Sequence, residues 1–187
     1  MNTSPTPNKA SKRLYNMIRK APRSKPKPES NDVISKLMGE LSILPDHPRV
    51  LVTVTHCYIE LFVHLLIESK CKNAKKIVAS NRDYPHSVKI VLLHEMGIIT
   101  DWWLEVLHWF RKKRNDAAHN VSFSLCSDDL ALFRGMKNTG WKIPLDDPKN
   151  LRELCFEIVI GFWNAHVDVF APHFMPELFP RPEPYAK

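Results

Sequence analysis

The sequence predicts an all-α protein: a bundle of five or six helices over 32–175, with a disordered basic arm, 1–31, before it and a Pro-rich tail, 176–187, after it. Three observations predict it. Only five of 187 residues are Gly, which suits helices better than a turn-rich β protein. Apolar residues, 44% of the chain, recur in the middle at helical spacing. The prolines crowd the ends: five precede residue 32, five follow residue 170, and Pro45, Pro48, Pro85, Pro144 and Pro148 fall at junctions or first turns.

The elements follow in order. Asn31 or Asp32 can cap a first helix with Val33, Leu37, Leu41 and Leu44 on one stripe. Asp46-His47-Pro48 opens a second, the acid accepting orphan N–H bonds and the Pro fitting the first turn. That helix runs to about Ser69 and is apolar nearly all round (Val50, Leu51, Val54, Tyr58, Leu61, Phe62, Leu65, Leu66), the mark of a central buried helix. Its run Val52-Thr53-Val54-Thr55 suits a strand, but length decides for helix. A short basic helix follows over Ala74–Ala79. Pro85-His86-Ser87 starts the next, which Gly97 ends in left-handed geometry. Thr100 or Asp101 caps a helix from Trp102 to His119, with Asn120 as a left-handed stop. Ser127-Asp128-Asp129 caps a short helix through Met136, a loop carries Gly140, and Asp147-Pro148 opens a last long helix through Leu151, Leu154, Ile158, Phe162 and Val169.

Charge follows the same boundaries. Residues 1–31 hold eight Lys or Arg and one acid, while the rest holds 19 bases and 19 acids, so the net +7 belongs to the arm. Lys12, Arg13, Arg19, Lys20 and Arg23 can hold phosphates by counterion release, and the stretch around Leu14 and Ile18 can coil into a short helix on a partner. A solvated tail has the same composition. Cys57, Cys71, Cys126 and Cys155 show neither CxxC pairing nor metal spacing and read as buried reduced thiols. With no run of 18 apolar residues and no secretory h-region, the expectation is a cytoplasmic protein without a membrane span. The basic, nearly acid-free N-terminus also suits an organelle transit peptide, against which its Pro content argues.

No metal site is expected. His94-Glu95 lacks a second His four positions on, and His56 and His64 share a helix face without a third ligand. No Gly-rich phosphate loop or GxSxG is present, so no cofactor is expected. One constellation remains: Arg114-Asn115-Asp116-Ala117-Ala118-His119. Its chemistry suits RNA cleavage without metal. Neutral His can take the 2′-hydroxyl proton, the Arg fork can hold charge building on the phosphoryl oxygens, and Asn can orient the phosphate or the His. The product would be a 2′,3′-cyclic phosphate. Asn115 and His119, four apart, share a face; Arg114 and His119, five apart, stand about 140° apart around an ideal helix. They converge if Arg114 reaches round, if the helix end relaxes, or if a second chain contributes. Asp116, Ala117 and Ala118 leave room for a close neighbour. The run Arg111-Lys112-Lys113-Arg114 can contact nucleic acid, and it also complements the helix dipole by itself.

The stretch from Pro85 to His119 resembles the HEPN superfamily, and within it the mannitol-operon-repressor-like group. Lys89-Ile90-Val91-Leu92-Leu93, the turn Met96-Gly97-Ile98-Ile99, and the helix running from Arg111 to His119 carry the likeness, with the apolar Val50–Ser69 helix placed as the family's first core helix. The arm, the tail and Trp102, Trp103 and Trp109 depart from it; aromatics at such spacing suit a core or a dimer face better than an RNA platform. The resemblance implies a helical bundle that homodimerises, with Arg114, Asn115 and His119 lining a cleft between protomers. It implies an endoribonuclease of the toxin or defence type, paired with an antitoxin. Alternatively, it implies a non-catalytic transcriptional regulator that acts through protein or nucleic-acid partners.

Overall fold

The computed structural model describes residues 33–176 apart from Thr139 and Trp141. The cap candidates Asn31 and Asp32, the arm and the last eleven residues lie outside the described residues, as do the side chains of Val33 and Leu37. The protein is all-α: α1 (Val33–Ile43), α2 (Pro48–Lys70), α3 (Ala74–Ala79), α4 (His86–Glu95), α5 (Asp101–His119), α6 (Leu151–Ala165) and α7 (Val167–Phe174), with 3₁₀ turns at Ser127–Phe133 and Pro148–Asn150. Among the described residues no strand forms, and only Lys137 and Pro144 pair as an isolated bridge.

α2 is the hub, packed most extensively on α5 and α6. Its 23 residues include an 18-residue stretch of mean hydropathy 1.9, long and apolar enough by composition to cross a membrane, but a central core helix of a soluble protein has the same character. Phe62 shows how that apolarity is used: it stacks on Phe170 at 4.7 Å between centroids and tilts against Trp163 at 5.9 Å. The expectation of burial all round needs one correction. Leu61 is 38% exposed and Cys57 is exposed, so α2 keeps an outer side. The cap also differs from expectation. His47 makes no side-chain cap bond, and Asp46 instead accepts from Nε (3.0 Å) and Nη2 (2.7 Å) of Arg152. Arg152 also donates to the Leu41 and Leu44 carbonyls, tying the end of α1 to α6. A guanidinium fork is the stronger partner for the carboxylate, and Pro48 removes one orphan donor.

Between α4 and α5 the turn forms as expected. Gly97 has φ +67°, and the Ile98 N–H bonds back to the Leu93 carbonyl at 2.9 Å. Thr100 caps α5, its hydroxyl accepting from the Trp103 N–H. Two later expectations change. The segment after Cys126 is a 3₁₀ turn ending at Phe133, and its cap is Cys126: the Cys126 N–H donates to Asp129 Oδ2 at 2.9 Å, and Sγ lies 3.1 Å from the same oxygen. The last long helix is two helices bent by 94° at His166. The bend returns Phe170 to Phe62 and Trp163, an aromatic contact that a straight helix would lose. α7 carries Pro172 inside it and reaches Phe174, beyond the expected helix end. The cysteines are not joined in disulfides, and the expectation of burial holds only for Cys155; Cys71 is half-buried, and Cys57 and Cys126 are exposed.

Candidate functional site

α2 and α5 run antiparallel, so the start of α2 meets the end of α5. Arg49 makes the junction. Its guanidinium donates to the carbonyls of Ala117, Asn120 (2.6 Å) and Val121 (3.0 Å). These are the acceptors that the last turn of a helix leaves unpaired. Arg49 therefore does the work expected of a left-handed stop at Asn120, which instead has extended backbone at φ −105°. Ala117 is fully buried, so its small side chain serves the close neighbour that the sequence anticipated. Sequence reasoning missed Arg49. Its signal was a cation in the first turn of a helix, where the helix dipole disfavours it.

His119 is exposed and lines an open groove of about 430 Å³ together with Asn115, Lys113, Phe123, Ser124 and Asp129. Asn115 and His119 thus share the groove, as their spacing of four requires. Arg114 is exposed and stands outside it, with Nη1 3.2 Å from Asn115 Oδ1. Because α5 stays regular to His119, the angular offset between Arg114 and His119 persists within one chain.

The other basic residues separate. Lys113 is mostly buried and forms an ion pair with Asp129, whose carboxyl is held down at about 2, first by the Cys126 backbone N–H and then by Lys113. Trp109 donates Nε1–H to the Asp129 carbonyl at 2.7 Å and meets Phe110 and Phe133 edge-on, so it fastens the 3₁₀ turn to α5. Trp103 packs on Phe162 at 4.8 Å and Trp102 lies edge-on to it, both half-buried. Lys112 is exposed, whereas Arg111 is half-buried and interacts electrostatically with His56 and His86. Lys12, Arg13, Arg19, Lys20 and Arg23 lie outside the described residues. Among the described residues no three His, Cys, Asp or Glu side chains gather as a metal site. His56 instead meets His86 edge-on at 5.0 Å, and His64 Nε2 lies 3.0 Å from Lys89 Nζ.

Compared with protein-family models, with curated proteins and with solved structures, the chain matches none.

Proposed function

We propose that this protein is a HEPN-like, metal-independent endoribonuclease, acting in the cytoplasm as a toxin or defence enzyme. One observation carries the reading: an exposed His119 shares an open groove with Asn115, and Asn115 is held by Arg114. In the reaction, the His119 imidazole takes the proton from a ribose 2′-hydroxyl. The 2′-oxygen then attacks the adjacent phosphorus and the P–O5′ bond breaks. A 2′,3′-cyclic phosphate remains, and the O5′ leaving group takes a proton from water. Asn115 orients the phosphate by its amide. Arg114 supplies the fork for the non-bridging oxygens, by rotating about its own side chain or from a second copy across a homodimer. Arg49 is a positioning residue, holding the helix end that bears His119.

The position of Arg114 outside the groove favours a second reading, a non-catalytic regulator that has kept the fold without converging its Arg and His. One assay separates the two. The purified protein is incubated with mixed cellular RNA in excess EDTA, beside His119→Ala. Cleavage with cyclic-phosphate ends, abolished by the substitution, is the expected result. If wild type and variant fold and associate alike and neither cuts RNA, the ribonuclease reading is wrong. The regulator reading then stands.

A further inference from the structure

On the side of α5 away from Asp129, the chain gathers a second polar cluster between α2, α4 and α5. Lys89 is 0% exposed, and its ammonium has only neutral partners, His64 Nε2 at 3.0 Å and Asn81 Oδ1 at 3.2 Å. His86 interacts electrostatically with Lys89, Arg111 and His56, and Arg111 and Arg114 both act on His56. Glu60 acts on His56, His64 and Lys89, and Glu68 acts on His64 as well. Among the described residues neither Arg111 nor Arg114 forms an ion pair. Three cations against two carboxylates leave an excess of positive charge around these side chains.

The hydrogen-bond inventory points the same way. His56 is 4% exposed and its Nε2 has no partner. Both ring nitrogens of His86, and Nε of Arg111, are buried and also unpartnered. A buried polar group without a partner is destabilising unless something binds it. α4 begins at His86 and spans ten residues; its cap is Pro85, which offers no side-chain acceptor. The positive end of that helix therefore adds to the same field. Arg111 Nε and one ring nitrogen of His86 are donors, and positive charge outnumbers negative. A metal cation is disfavoured by the surrounding Lys and Arg, three histidines notwithstanding.

We propose that the cluster around His56, His86, Lys89, Arg111 and Arg114 binds a phosphoryl oxyanion, carried either by a free nucleotide or by an RNA backbone. A phosphoryl group supplies the missing counter-charge and several acceptor oxygens in one small body. The guanidinium forks match its geometry, and the start of α4 is an anion-favouring helix end. The site lies outside the groove of His119 and shares only Arg114 with the cleavage reading, and it does not depend on His119 cutting RNA.

The test uses the full-length protein and inorganic phosphate, titrated by calorimetry against chloride at matched ionic strength. Saturable binding with a Kd on the order of 1 mM or tighter is expected. Arg111→Gln is expected to weaken it by about tenfold or more, and so is Arg114→Gln, whose exposed side chain can change without disturbing the core. Lys75→Gln removes the same charge from exposed α3 and is expected to bind as wild type does. No saturable binding up to about 10 mM overturns the proposal, and so does equal weakening in all three variants, which marks unspecific charge attraction. A 5′-mononucleotide and a short RNA oligomer then distinguish the sources: the carrier that displaces phosphate at lower concentration is the ligand. A failed titration leaves the EDTA cleavage assay untouched, so the two readings fail separately.

Discussion

His86 gives the most quantitative prediction. Its imidazole is driven down from 6.5 to about 3, first by burial and then by the positive charge or proton affinity of His56, His64, Lys89 and Arg111. The ring is therefore neutral in the fold and protonated in the unfolded chain once the pH drops below the ordinary value. Its contribution to stability is complete above about pH 6.5 and is lost as the pH falls toward about 3. Between about pH 7.5 and about pH 5 the unfolded state takes up nearly one proton that the folded state refuses, a loss of about 2 kcal/mol. At this chain length that corresponds to a fall in Tm of roughly 4–8 °C. His56 and His64, also lowered by burial, shift stability in the same direction. The measurement is urea unfolding followed by far-UV circular dichroism in chloride buffer at both pH values, on wild type and His86→Gln. The substitution is expected to remove about 2 kcal/mol of the acid loss, whatever it does to stability near neutrality. If wild type and variant lose the same amount, His86 is not held neutral by this environment and the reasoning is wrong.

Two further predictions concern the turns that set α5. Arg49→Ala removes three bonds to the carbonyls closing α5, and is expected to cost about 1–3 kcal/mol and to speed hydrogen exchange at residues 117–121. Exchange unchanged there would show that water replaces the guanidinium fully. Gly97→Ala places a Cβ at φ +67°, where no neighbouring atom lies within 4 Å, so backbone strain alone is expected to cost about 1–2 kcal/mol in chemical denaturation. A neutral result would mean that the α4–α5 turn relaxes out of the left-handed region.

Much of the helical layout was legible because it depends on local rules. Pro48 marks the start of α2, Gly97 the end of α4 and Thr100 the cap of α5, each through backbone geometry or a bond within one turn. The limits of α3 follow likewise from a short run between loop residues. The spacing of Asn115 and His119 also placed them on one groove wall. Local rules failed where a distant partner competed. Asp46 was read as a cap, but Arg152, more than a hundred positions away, holds its carboxylate. The helix break at His166 has no proline at it, and arises where Phe170 can return to Phe62 and Trp163.

The amino-acid sequence by itself determined an all-α chain, the order of its helices, and that Asn115 and His119 share one face of a helix. Periodicity, capping and the left-handed preference of glycine all act within a few residues, so they can be read without a fold. Only the tertiary structure decided that Arg49 closes α5, that Lys113 is tied to Asp129 while Arg111 interacts electrostatically with His56 and His86, and that Lys89 lies buried between neutral hydrogen-bond partners. Burial, pairing and the electrostatics of a buried cation depend on which side chains meet across helices. That is settled by packing around α2, because desolvation and charge act through space rather than along the chain.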